Sequence, residues 1–194
     1  MKTTFFNTKT KEASAFKEWK TGWYKTMKYL IIILLLTGCS IPDGDMTYII
    51  NQGNNHSNGT KVYNSDNITF RVYIDESWVY EPDNHWNKLI GFSESISPHD
   101  NSLRIGWRCS DEKIIFGLYA YVNGDPVRIR GQREYYPGTW VEGSVFKSYN
   151  TYHVIIGGEH FHTKAAEGKT VSTLYPYFGG DDTAPHNMRF HFRF

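Results

Sequence analysis

The sequence predicts an all-β protein, many short antiparallel strands forming a β-sandwich or a barrel. Three observations lead there. Apolar and polar residues alternate with a period of two over several runs. Turn-forming clusters of Gly, Asn, Asp and Pro separate those runs. No ten-residue window carries the 3.6-residue periodicity of an amphipathic helix. Aromatic residues make up 16% of the chain, and Tyr and Phe suit a pleated surface.

The first 38 residues stand apart from this pattern. Residues 29–36 (YLIIILLL) are the one strongly apolar run. A membrane-spanning helix needs about 20 apolar residues, so this run matches the apolar region of a secretory signal instead. Lys25 and Lys28 supply its basic flank. Then come Leu36, Thr37, Gly38 and Cys39, followed by Ser40. This order resembles the lipobox of bacterial lipoproteins. The resemblance implies export, cleavage before Cys39, and a membrane anchor of lipid (diacylglycerol and an acyl chain such as palmitate) on Cys39. The cell envelope, and the outer membrane in particular, is then the expected location. Met27 is the natural start of such a signal, so residues 1–26 read as a mis-assigned start or a long basic leader.

Of the 21 Lys and Arg and 20 Asp and Glu, seven lysines and two glutamates precede Cys39, leaving 14 bases against 18 acids. The remainder is mildly acidic, and no nucleic-acid partner is expected. Cys109 is the only other cysteine. An acylated Cys39 cannot pair, so no internal disulfide forms.

Residues 39–60, rich in Gly, Asn, Ser and Asp, read as the lipidated cysteine and a flexible tether holding one short strand at 47–50. The sandwich domain is expected over 61–194. Ile68, Phe70, Val72 and Ile74 fall on one face of a strand. Residues 103–107 alternate similarly, with Trp107 and Cys109 facing inward together. Residues 113–122 (KIIFGLYAYV) are apolar enough for the middle of a sheet. Strands at 140–146, 151–156 and 188–194 complete the clearest set. Turns fall at residues 123–126, 137–138, 157–158 and 179–180.

Two segments carry a further resemblance. Residues 151–161 (TYHVIIGGEHF) read as strand, two-glycine turn, strand, which resembles a hairpin of concanavalin A-like lectin/glucanase and laminin-G-type sandwiches. Residues 174–186 (LYPYFGGDDTAPH) lead into the last strand. That aromatic, glycine and acidic loop resembles lipoproteins and sandwich domains of gut Bacteroidota and their phages. The resemblance covers residues 67–194. It implies a jelly-roll fold and a connection to glycans, and it brings no catalytic residues with it.

Several groups of residues are candidates for chemistry. Glycoside hydrolysis needs two carboxylates about 5–10 Å apart, and glucanases of this fold carry them as Glu-x-Asp-x-x-Glu. That pattern is missing: Asp75 and Glu76 are adjacent, while Asp111-Glu112 and Asp181-Asp182 fall in turns. Lyases of this architecture need a basic or tyrosyl group near Arg, Gln and His. Arg128, Arg130 and Arg133 with Tyr135 and Tyr136 fit that description, as they fit a solvated edge strand. His160 and His162 share a strand face and, with Glu159 or His153, have ligands suited to a metal. Asp181 and Asp182 offer hard oxygens that suit calcium on a flexible loop.

Trp78, Tyr80, Trp86, Trp107, Trp140, Tyr175 and Tyr177 have ring faces that suit sugar stacking. Trp107 and Trp140 suit the core equally. Trp78 and Trp86 flank the polar residues 81–85 and are expected to be exposed. The leading ligand-binding set is therefore Tyr175, Tyr177, Asp181, Asp182, Trp78 and Trp86. No Rossmann glycine motif, Walker loop, nucleophile elbow or C-x-x-C pair is present. The expected function is a non-catalytic surface lipoprotein that binds glycan or another surface partner. The alternatives are a polysaccharide lyase or glycoside hydrolase, and a protein-binding adhesion or structural module.

Overall fold

The computed structural model describes residues 45–58, 65–81 and 85–194. Cys39 and the leader lie outside the described residues. Eleven strands are present in the described chain. They are β1 (Asp45–Ile50), β2 (Asn67–Tyr73), β3 (Asn87–Ser93), β4 (Ser102–Ser110), β5 (Lys113–Val122), β6 (Asp125–Tyr135), β7 (Trp140–Ser148), β8 (Thr151–Ile156), β9 (Glu159–Lys164), β10 (Ser172–Leu174) and β11 (Met188–Arg193). Among the described residues the helical element is one turn of 3-10 helix, Glu76–Trp78.

Every strand pair is antiparallel, and two sheets result. The six-stranded sheet runs β1-β11-β2-β7-β8-β9 and the five-stranded sheet runs β10-β3-β4-β5-β6. Strands β4 and β5 lie across from β7, β8 and β9, so the sheets face one another. The protein is an antiparallel β-sandwich, as the alternation and turns predicted. Period-two patterning puts Phe70, Val72, Val154, Ile156, Phe190 and Phe192 on one inner face. Leu103, Ile105, Trp107, Phe116 and Leu118 occupy the other, all in one buried core. Cys109 is buried there as a free thiol.

Tight turns hold the register. Asn123 and Gly124 have φ of 53° and 87°, and Gly157 and Gly158 have 56° and 83°. Positive φ at both positions gives the mirror-image turn whose twist matches antiparallel strands.

The sandwich starts earlier than the expected boundary. All six residues of β1 pair with β11, and Asn55 and Ser57 hydrogen-bond the backbone of residues 176–178. Residues 45–58 are therefore part of the folded domain, which corrects their reading as flexible tether. The apolar alternation of Tyr48 and Ile50, both buried, completes a sheet face and holds the segment in place.

Candidate functional site

An open cleft of about 610 Å³ lies on the outer face of the five-stranded sheet, within the usual range for ligand sites. Its floor is one cross-strand row. Arg104 on β4 pairs with Tyr119 on β5, and Tyr119 pairs with Arg128 on β6. All three point outward because Leu103, Ile105, Leu118 and Ile129 take the core-facing positions. The row continues on β3 at Gly91, which pairs with Arg104. A Cβ at Gly91 would stand 1.9 Å from the Leu103 carbonyl oxygen, so the bulge there requires glycine.

Lys88 flanks this floor. Its Nζ donates to the Gly179 carbonyl at 2.6 Å and lies 4.8 Å and 5.1 Å from the Tyr119 and Tyr177 ring centroids. Arg128 covers the Tyr119 ring at 5.4 Å. One wall is the chain after β10, which runs beside β3 so that Tyr177 and Lys88 exchange two backbone hydrogen bonds of 2.8 Å. His56 packs edge-on against Tyr177, their ring centroids 4.7 Å apart. The other wall includes Pro98 and His99, with the His99 ring 5.0 Å from that of Tyr121. The Tyr119 and Tyr121 hydroxyls are 3.4 Å apart.

Burial, and then repulsion from Arg104 and Arg128, pushes Lys88 down to about 8. Burial also lowers Arg104 to about 10, which leaves it cationic at neutral pH. Burial and the hydrogen bond with Tyr119 raise Tyr121 to about 12, so its hydroxyl keeps its proton.

The structure brings together part of the expected set. Tyr175, Tyr177 and Asp181 all line the cleft. Tyr177 is half-buried and bonds its hydroxyl to the Gly180 carbonyl at 3.2 Å. Tyr175 also packs on Tyr48, with ring centroids 5.2 Å apart. Asp182 turns elsewhere: its Oδ2 is 2.5 Å from His85 Nδ1, and its carbonyl accepts from Asn55 Nδ2. Asp181 and Asp182 thus do not converge. Among the described residues no group of three or more His, Cys, Asp or Glu is arranged to hold a metal ion.

Trp86 is half-buried and lies on two outward glycines. A Cβ on Gly106 would be 2.7 Å from its Cε3, and one on Gly117 would be 2.9 Å from its Cη2. Tyr119, two residues along β5 from Gly117, also meets the Gly106 position, so Trp86 sits beside it. Trp78 is different, and its expected exposure is corrected. It is fully buried, with Nε1 donating to the Arg189 carbonyl at 2.6 Å. The 3-10 turn tucks the ring inward, into the core.

The arginine cluster separates. Arg128 is in the cleft, whereas Arg133 Nη1 and the Tyr135 hydroxyl donate to the Gly157 carbonyl at 2.5 and 3.1 Å. His153 Nδ1 and His160 Nε2 are 3.1 Å apart, with the His162 ring 6.3 Å from that of His153. Glu159 turns away from these rings and accepts from the Gln132 and Arg133 amides.

Lys88, Arg104, Tyr119 and Tyr121 were not among the residues the sequence singled out. The alternation of Leu103, Arg104 and Ile105 does carry a signal, since it places a charge on the outer face of a central strand.

No family model matches the chain. No curated protein matches it either. Among solved structures it is similar to an alginate lyase from Pseudomonas aeruginosa, at 9% identity and a TM-score of 0.44, over 77% of this chain and 62% of the lyase. It is also similar to a carbohydrate-binding module from Bacillus subtilis, at 10% identity and 0.37, over 78% of this chain and 80% of the module. Domains LG4-5 of the mouse laminin alpha1 chain match at 13% identity and 0.37, over 80% of this chain and 41% of theirs. The chain therefore spans less than two thirds of the lyase's length.

Proposed function

We propose that the cleft on the five-stranded sheet is a glycan-binding site. The observation that supports this reading most is the composition of its floor and wall. Tyr121 and Tyr177 offer partly exposed rings and hydroxyls above the buried Tyr119, and Lys88, Arg104 and Arg128 offer donors among them. A sugar ring has flat apolar patches and a rim of hydroxyls, and such a surface meets both. The strands hold these groups on rigid backbone, which lowers the ordering cost of binding. The test is affinity electrophoresis of the purified protein against a panel of polysaccharides. At least one should retard the protein, and Tyr177→Ala should weaken that retardation about tenfold with little change in Tm. Binding to no polysaccharide, or binding indifferent to both Tyr177→Ala and Arg128→Ala, would sink the assignment.

A second reading, cleavage of a uronate-containing glycan by β-elimination, rests on Lys88, lowered to about 8 near the paired Tyr119 and Tyr121 hydroxyls: its neutral amine would take the proton alpha to the carboxylate, and a tyrosine hydroxyl would protonate the oxygen that leaves. Such cleavage would show as rising ultraviolet absorbance from the new carbon–carbon double bond. Hydrolysis has less support. Among the described residues lining the cleft, Asp181 is the one carboxylate, and hydrolysis uses two.

We also propose that the domain is carried at the cell envelope by lipid on Cys39. The support is the basic, apolar and Leu-Thr-Gly-Cys order of residues 25–39. Among the described residues no helix is long and apolar enough to cross a membrane. Labelled palmitate should enter the wild-type protein and be lost in Cys39→Ser; label persisting in the mutant would refute the anchor.

A further inference from the structure

We infer that the cleft recognises an oxyanion substituent on its glycan, a sugar carboxylate or sulfate ester, with Arg104 and Lys88 as the groups that receive it. The inference rests on the glycan-binding reading and adds the chemical class of the ligand. Arg104 is only 9% exposed, and its Nε has no hydrogen-bond partner. Among the described residues no carboxylate pairs with Arg104, Lys88 or Arg128. Asp181 lines the cleft but is exposed.

A buried charge is costly unless it is paired and hydrogen-bonded. Here two desolvated cations share one cleft, and a third, Arg128, adds to the repulsion that Lys88 feels. The Gly179 carbonyl and the Tyr119 and Tyr177 rings hold Lys88 in the fold, but among the described residues no opposite charge meets Arg104. On the outer face Arg104 lies with Lys88, Tyr119, Tyr121 and Tyr177, none of them a carboxylate, and a neutral Met at position 104 would remove its repulsion of Lys88. The arrangement does suit an incoming anion. A guanidinium offers planar paired donors to a carboxylate or sulfate, and the ammonium of Lys88 adds a point charge. Tyr177, half-buried on the cleft wall with Lys88 Nζ 5.1 Å from its ring centroid, sets an aromatic ring beside the sugar that bears the anion.

Two matched pairs of probes test this on the full-length protein: polygalacturonate against its methyl ester, and dextran sulfate against dextran. The first pair reads a carboxylate and the second a sulfate. The expected result is binding to at least one charged polymer and not to its neutral twin. Arg104→Met should then lose about tenfold or more in affinity while Tm stays level or rises, because a ligand-binding cation adds nothing to the empty fold. Arg128→Ala, at an exposed position, should lose less and reduce the salt dependence.

If a neutral polysaccharide binds and Tyr177→Ala abolishes it while Arg104→Met does not, the glycan site stands and the oxyanion inference falls. If all polyanions bind equally and Arg104→Met leaves them unchanged, the attraction is non-specific and the inference also falls. A Tm drop on Arg104→Met with affinity intact would assign the arginine to the fold.

Discussion

Trp78→Ala is expected to lower the unfolding free energy by about 3–5 kcal/mol. The Tm would fall by roughly 10 °C for a domain of this size. The side chain is fully buried, with its ring 4.8 Å from Trp107 and 4.9 Å from Phe190. Phe116 meets it edge-on at 6.2 Å. Trp107 and Phe116 belong to the five-stranded sheet and Phe190 to the other, so one indole packs against both layers. Truncation removes those contacts and leaves the Arg189 carbonyl without its donor. Trp78→Phe keeps most of the ring and should cost less, about 1–3 kcal/mol, the carbonyl's lost partner included. Urea unfolding measures both. An unchanged midpoint for Trp78→Ala would mean that the ring is not in the core.

Lys147→Met should be comparably destabilising, by about 3–5 kcal/mol. Glu94 follows β3, and its side chain is 1% exposed. Its carboxylate takes Lys147 Nζ at 2.7 Å and the Tyr152 hydroxyl at 2.5 Å. Lys147 also donates to the carbonyls of Ala166 and Gly168, at 2.9 and 3.2 Å. Lys147 and Tyr152 are on the six-stranded sheet, so the cluster ties the two layers together. Removing the ammonium leaves a buried carboxylate with one neutral donor. Burial, and then the bond to Glu94, pushes Tyr152 far up, so that donor keeps its proton through the alkaline range. The sign of the asymmetry is the test. The double variant Lys147→Met with Glu94→Leu should be more stable than Lys147→Met alone, because it removes the uncompensated charge. A double variant less stable than the single one would show that the carboxylate is held well without its lysine.

The sequence carried the fold better than it carried the cleft. Strand β5 has the bounds its long apolar run predicts, and β8 those expected between its turns. Strand β3 was not legible. Its register shifts between Lys88 and Gly91, and all seven residues are buried, Asn87 and Lys88 among them. A bulge breaks the period of two, and burial on both sides removes the polar half of the pattern. Trp78 misled because a polar stretch follows it closely, while the inward tuck depends on a turn capped by Asp75, whose carboxylate accepts from the Ser77 amide. Tyr175, Tyr177 and Asp181 were legible as one loop because they are neighbours in the chain. Arg104, Tyr119 and Arg128 become neighbours only through cross-strand register, which no local pattern encodes.

Strand β11 lies between β1 and β2, although residues 74–187 separate it from β2 along the chain. The meanders β4-β5-β6 and β7-β8-β9 need only short loops to close, and they are the places where folding starts most cheaply. The β1-β11-β2 triplet closes over most of the described chain's length, so it carries the largest closure entropy. During synthesis, β1 has no neighbour and β2 keeps an open edge until residues 188–193 emerge. Over that interval the apolar faces of Tyr48, Ile50, Phe70 and Val72 have no β11 beside them. A chain stalled there presents an unpaired strand edge to its neighbours, the condition in which nascent β proteins aggregate.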